Sequence, residues 1–464
     1  MVRLIIAAGT MAAICVGVVW IATMAFSSLL IFGESTIQTV LVFGFYAYCI
    51  LTLVIPSEHK LFYVLSIPIL TQFLHLFQKY DFPPGANSLW RLLPFILVDL
   101  HIISQLIRFK TGLTAKEKSV VASWIALNFL SVIISPNLPG IITGAFVLIL
   151  STIPLYFCYL NMYSDSPSFS MDLERSLCLL FVILAFGTFG LVFFGAQYKE
   201  ASNLLVTRNI SDTNVTMAYF ILLWPFALRY AGRSGHPFLL TSLLALLFLG
   251  VVMLSFSRGA VFIVLPYLLA TLLLASNLKR SLWFAAVGIL LNAGFDDLLQ
   301  RINADLAYSW QLRFADFQAA GPAFQKLGEA SGRAEIRNLG YKLFLENPLY
   351  GHGTGSFELL GPGYREAHSM LFTILAEQGL IGVLYLYALF TGLGYCLSKT
   401  TGLGRHYLLL PVAFCAYLLF VHSVGSVWVI IPAKSLTINC IAPLLLICMY
   451  CYSKSICKHG VAHG

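Results

Sequence analysis

The sequence predicts an all-α polytopic membrane protein with about twelve to fourteen transmembrane helices and one long, partly helical loop on the outer side. Three observations carry that expectation. Hydrophobic residues make up 59% of the 464 positions and charged residues 10%, with a mean hydropathy of +0.85, far too apolar for a soluble domain. The apolar runs are continuous over about 16 to 25 residues, whereas an outer-membrane barrel would alternate within segments of about ten. One stretch, 296–367, breaks the pattern with interleaved charges, among them Arg313, Lys326, Arg333 and Arg337 against Asp305, Asp316, Glu329 and Glu335.

Taken in order, the apolar runs lie near 4–32, 36–56, 61–77, 88–107, 119–134, 141–160, 176–196, 215–231, 237–256, 260–277, 281–295, 368–397, 407–424 and 437–452. The first is too long for the apolar part of a signal peptide and lacks a small-x-small cleavage site, so it reads as an uncleaved first helix. Those at 61–77, 119–134 and 281–295 are short for a hydrocarbon core of about 30 Å, and one or two of them read as re-entrant or interfacial.

Orientation follows from basic residues in the short connections. With the N-terminus inside, Arg108, Lys110, Lys116, Lys118, Arg229, Arg233, Lys279, Arg280, Lys399, Arg405, Lys454 and Lys458 all gather on the inner face. Both termini then lie inside and 296–367 faces out. The net charge of +8 belongs to this topology and to anionic membrane lipid, and nucleic acid is not needed to explain it. The domain reading is 1–295 as an N-terminal transmembrane bundle, 296–367 as a loop capping a site, and 368–464 as C-terminal helices with a short tail.

The ten cysteines fall within apolar spans or the C-terminal tail, which implies no disulfide framework. Cys448, Cys451, Cys457 and His459 superficially resemble metal ligands, yet two of them end a hydrophobic helix as small apolar fillers, and no metal is assigned.

Chemistry concentrates in a few places. Within the loop, Ile336, Leu339, Leu343 and Phe344 recur at helical spacing and Asn347-Pro348 stops the helix, which predicts a helix over 334–346. Arg333 and Arg337, four apart on that helix, project from one face; they are either a solvated basic edge or an anion clamp. Arg258, in Ser257-Arg258-Gly259 between two apolar spans, sits at the membrane surface, where a charge either snorkels to lipid phosphate or marks a site. His368 opens the next span, and the helix N-terminus and nearby arginines disfavour its charged form, leaving a neutral ring able to accept a proton. Glu377 lies about 13 Å further along the same helix and cannot orient that ring, so Glu366 or Glu358 is expected to. Tyr364, Arg365 and His352 complete the polar set, and the glycines from Gly351 to Gly363 are expected to let the loop pack closely over the site. Within the membrane, Asp99 shares a span with Arg91 and His101 and reads as a structural pair with a basic neighbour.

With these residues in place, the chain resembles the O-antigen ligase-like family of bacterial envelope glycosyltransferases. The resemblance rests on Ser257-Arg258-Gly259, Gly332-Arg333, Glu346-Asn347-Pro348-Leu349-Tyr350-Gly351-His352-Gly353, and His368-Ser369 followed by Gly379-Leu380-Ile381-Gly382. It departs from the family at Arg337, where an aromatic residue is common. What the resemblance implies is a glycan donor on undecaprenyl diphosphate, transfer on the periplasmic face of the bacterial inner membrane, and no metal or other cofactor. It also implies Arg258 and Arg333 on the diphosphate, with Arg337 a possible added contact, and His368 as the base on the acceptor hydroxyl. Lipid A-core as acceptor would make the chain a ligase; a second lipid-linked glycan would make it an O-antigen or exopolysaccharide polymerase. A protein oligosaccharyltransferase is disfavoured because no large outer domain follows residue 452. A transporter or flippase for lipid-linked sugars is the reading from another class, and it lacks the mid-membrane charges and repeated halves such a carrier would show.

Overall fold

The computed structural model describes residues 44–51, 60–74, 89–108, 113–194, 197–199, 204–206, 213–255, 257, 259–275, 333–361, 366–425 and 441–459, with scattered positions from 286 to 311. The expected span at 4–32 lies outside the described residues, and that at 281–295 does so almost entirely. Almost everything described is helical. The helices are α1 (Lys60–Leu74), α2 (Leu89–Arg108), α3 (Ala115–Ile133), α4 (Leu138–Tyr163), α5 (Phe169–Phe194), α6 (Thr213–Gly232), α7 (Pro237–Leu254), α8 (Ala260–Ala275), α9 (Arg333–Glu346), α10 (Ser356–Leu360), α11 (Met370–Thr400), α12 (Leu409–Phe420) and α13 (Ile441–His459). A short antiparallel pairing of β1 (Gln197–Lys199) with β2 (Leu204–Val206) precedes α6.

Six of these segments are long and apolar enough to cross a membrane: Leu138–Tyr163, Asn214–Gly232, Pro237–Leu254, Met370–Leu403, Arg405–Ser423 and Ile441–His459. The chain is an all-α, multi-pass membrane protein. Helix α6 is its axis, because 89% of that span is buried and its apolar residues face neighbours on every side. Phe181, Phe220, Trp224 and Phe248 from three helices meet there edge-on and stacked, with centroids 5.2 to 5.8 Å apart.

Several polar side chains buried among these helices find partners, which a medium without water favours. Trp224 Nε1 donates to Thr271 Oγ1 at 2.7 Å and Tyr267 Oη to Ile221 O at 2.9 Å. Asp99 accepts from the hydroxyls of Ser151 (2.8 Å) and Thr152 (3.0 Å), so its described hydrogen-bond partners are hydroxyls rather than a base.

The contacts along α6 also fix directions. Ile221 meets Tyr267 and Trp224 meets Thr271, so α6 and α8 run parallel. Arg229, near the end of α6, donates to His406 O at 3.3 Å at the start of the Arg405–Ser423 segment, so that pair is antiparallel. Both spans are 19 residues, about 28 Å at 1.5 Å per residue. The bundle therefore has one end holding Asn214, Ser257 and Ser423, and another holding Gly232, Arg233 and His406.

Candidate active site

The segment before α11 and the break within it form one interlocked unit. Helix α11 continues past Gly379 only by breaking, with φ 63° and ψ −159° at that residue. A break leaves backbone groups of the preceding and following turns without helical partners, and inside a membrane bundle each must be satisfied. The loop after α9 does so: His352 N donates to Ala376 O (2.9 Å) and Gly353 N to Glu377 O (2.7 Å), while Leu380 N donates to Pro348 O (2.8 Å) and Ile381 N to Leu349 O (3.2 Å). The fit is close enough to need glycine on both sides. A Cβ on Gly351 would lie 2.4 Å from Glu377 C, and one on Gly379 would lie 2.5 Å from Leu349 C; both residues have positive φ.

The same loop is tied to α3 and the turn after it. Thr354 N donates to Ser131 O (2.9 Å), the Ser131 and Thr354 hydroxyls meet at 2.8 Å, and Asn137 Nδ2 donates to Gly355 O (2.9 Å). The buried Glu377 carboxylate accepts from Phe357 N at 3.3 Å, holding the first turn of α10. A small core of Ile336, Leu343, Phe357, Ala367 and Ala376 fills the space between α9, α10 and α11.

His368 stands on this scaffold just before the N-cap of α11, Ser369. Its φ is 49°, and among the described residues it is the one non-glycine with positive φ. That conformation is unfavourable for a side-chain-bearing residue and persists only where the surroundings impose it. They do so on both sides. Arg337 Nη2 donates to His368 O at 3.2 Å, and Thr373 Oγ1 accepts from Ala367 N (3.1 Å) while donating to Ser369 O (2.9 Å). The imidazole is 35% exposed, and its Nδ1 is 3.7 Å from Oε1 of the more buried Glu366. A carboxylate at that range favours the ring once it has taken up a proton.

Arg337 does more than touch His368. The same Nη2 donates to Ser423 O at 2.9 Å, in the widened turn Val421–Gly425 that ends α12, and Nε is buried with no partner among the described residues. Burial lowers the guanidinium's pKa, though an arginine remains a cation at neutral pH. Beside Ser423, His422 hydrogen-bonds to Tyr387 Oη and to Leu418 O (2.7 Å).

The other expected residues divide. Arg258, Tyr364 and Arg365 lie outside the described residues. Arg333 begins α9 one turn before Arg337, and only its backbone is described. Ser257 is buried, donating from Oγ to Asn214 Oδ1 at 3.1 Å and accepting from Ala260 N at 3.2 Å, which locks the turn between α7 and α8 at the Ser423 end of the bundle. His352 Nε2 donates to Leu343 O at 3.0 Å, near Glu346 (3.6 Å), and so fastens the last turn of α9. The structure thus brings together His368, Glu366, Arg337 and the start of α9, with Ser257 at the same end of the molecule. Ser131, Asn137, Thr373 and Ser423 were not anticipated; of the unanticipated supports, only Glu377 left a trace in the sequence, as a carboxylate in an apolar run.

Residues 243–387 match the O-antigen ligase family. Over that segment the chain is similar to O-antigen ligases. The matched segment runs from α7 to α11, and so takes in the Ser257 turn, α9, the interlocked loop and His368. No curated protein matches the chain significantly. Glycan transfer at a membrane is the function this family supports.

Proposed function

We propose that the protein transfers a glycan from an undecaprenyl-diphosphate donor to an acceptor hydroxyl, with His368 as general base and inversion at the anomeric carbon. The acceptor is lipid A-core, which makes the protein a ligase acting at the periplasmic face of the bacterial inner membrane. The observation that carries this reading is the forced backbone of His368, clamped by Arg337 and backed by Glu366.

In this mechanism Nδ1 faces Glu366 and Nε2 takes the acceptor's proton. The oxygen so released bonds to the anomeric carbon as the bond to the diphosphate oxygen breaks, and Glu366 stabilises the imidazolium that results. Negative charge grows on the departing diphosphate. Arg258 and Arg333 hold it, and Arg337, fixed by His368 O and Ser423 O, sets a further guanidinium beside them. Ser257, Tyr364 and Arg365 shape the surroundings of these groups.

The test is reconstitution of the full chain with lipid-linked glycan and either lipid A-core or a second lipid-linked repeat unit. Product on lipid A-core is expected. Product solely on the second acceptor would make the protein a polymerase, and lipid movement across the bilayer without product would make it a carrier.

A further inference from the structure

At the opposite end of the bundle from His368 lies a cavity of about 450 Å³, lined by the end of α6, the start of α7, the end of α8 and the start of the Arg405–Ser423 segment. Four membrane-crossing or apolar helices therefore begin or end around it, which sets it at a membrane boundary. The chemistry described above does not use it. About 28 Å of helix separates it from Ser257 along α6.

Among the described residues, the charge around this cavity does not cancel. The carboxylate of Glu174 is fully buried and pairs with Arg229 Nε (2.9 Å) on one oxygen and Arg233 Nη1 (3.0 Å) on the other. Tyr452 Oη joins Arg229 on the first oxygen. One carboxylate thus faces two guanidinium groups. Arg229 is immobilised, 5% exposed, donating to His406 O and lying 4.2 Å from the Tyr407 ring centre. Arg233 lines the cavity and is 43% exposed, so the surplus positive charge is presented to whatever enters.

The walls are apolar where they leave the cavity. Phe238 lines it and is 45% exposed, and Leu239 and Leu243, one turn apart on α7, are 58% and 55% exposed and continue the apolar surface along the bundle. A surplus guanidinium at a membrane boundary, beside an exposed apolar helix face, suits a ligand with a phosphate at one end and a hydrocarbon chain at the other. We propose that this cavity binds the phosphate headgroup of an anionic membrane lipid, with the acyl chains along α7. The proposal is independent of the glycan-transfer reading.

Two substitutions separate charge from shape. Arg233→Gln removes the surplus cation while Arg229 stays on Glu174. Gly232→Phe keeps every charge and fills the cavity, since a Cβ there meets nothing within 4 Å. The full chain, purified in a neutral detergent, is followed by thermal unfolding as phosphatidylglycerol is added, with phosphatidylcholine of the same chains and inorganic phosphate as parallel additions. Phosphatidylglycerol should raise the unfolding temperature and the other two should not; Arg233→Gln should weaken the apparent affinity about five-fold, the effect of one basic residue near an anionic surface, and Gly232→Phe should weaken it by excluding the headgroup. The proposal is overturned by any of three outcomes: an unchanged phosphatidylglycerol response in Gly232→Phe, an equal response to phosphatidylcholine, or an equal response to inorganic phosphate, which would mean a site for small anions. Should Arg233→Gln fail to fold, Gly232→Phe decides alone.

Discussion

A histidine held at φ 49° costs about 1–3 kcal/mol relative to a relaxed backbone, and the contacts that hold it there serve no obvious packing purpose. This gives a way to separate shape from chemistry at one residue. Asparagine tolerates the left-handed region but cannot act as a base near neutral pH. His368→Asn is therefore expected to keep the fold and the affinity for lipid-linked donor, while turnover drops by about 10²- to 10⁴-fold, the usual contribution of general base catalysis. Turnover within a few-fold of the natural protein would remove the base assignment. Arg337→Lys keeps the charge but not the planar fork, so one nitrogen can no longer be counted on to span His368 O and Ser423 O. Its turnover should fall further than its donor affinity. The sequence shows why His368 and Arg333 are worth attention, since each stands at a helix start in a polar setting. It could not reveal what Arg337 does, because Ser423 is far along the chain and no local pattern links the two.

Elements tell the same story one level up. The glycines of the loop after α9 were legible as residues allowing close packing, and the Asn347-Pro348 stop was legible to the residue. What the loop packs against was not, because the break in α11 at Gly379 has no local cause in the sequence beyond one glycine in an apolar run. The loop and the break exist for each other: four hydrogen bonds across them replace those the helix loses. Gly379→Ala should therefore cost more than the roughly 1 kcal/mol of an ordinary helical glycine exchange, since strain at positive φ adds to a clash with the backbone of Leu349. Thermal unfolding in detergent would register it, and limited proteolysis should then cut first between Asn347 and Gly355. The start of α3 holds a carboxyl whose charge is tied to the fold. Burial would raise the pKa of Glu117, but hydrogen bonds from Lys454, from the backbone and hydroxyl of Thr114 and from Tyr450 outweigh it and hold the carboxyl below its ordinary range. A lowered folded value means that Glu117 stabilises the fold above the unfolded pKa and that this stabilisation is lost as pH falls through the folded one. Lys454→Met should flatten the acid limb of the unfolding temperature against pH, and an unaltered limb would remove Glu117 from the account.

Across the whole molecule, hydropathy sufficed for the class and for the positions of most described helices, six of them long and apolar enough to cross a membrane, because continuous apolar runs leave a helix little alternative there. It could not supply the neighbours of each helix, which rest on single contacts such as Trp224 with Thr271 and Arg229 with His406. Those contacts sort the chain into two ends. Arg229, Arg233 and Arg405 share one end, and the preference of basic residues for the cytoplasmic side is the ground for proposing that this end faces the cytoplasm and the His368 end the periplasm. The consequence is open to a labelling experiment in intact cells with the native cysteines replaced. Leu359→Cys, exposed beside the interlocked loop, should react with a membrane-impermeant maleimide added from outside, whereas Ser234→Cys, in the turn between α6 and α7, should react only after the membrane is opened. Reversed labelling would place His368 on the cytoplasmic side. A donor presented at the periplasmic face could not then reach the base, so the proposed transfer would fail even with every distance around His368 unchanged.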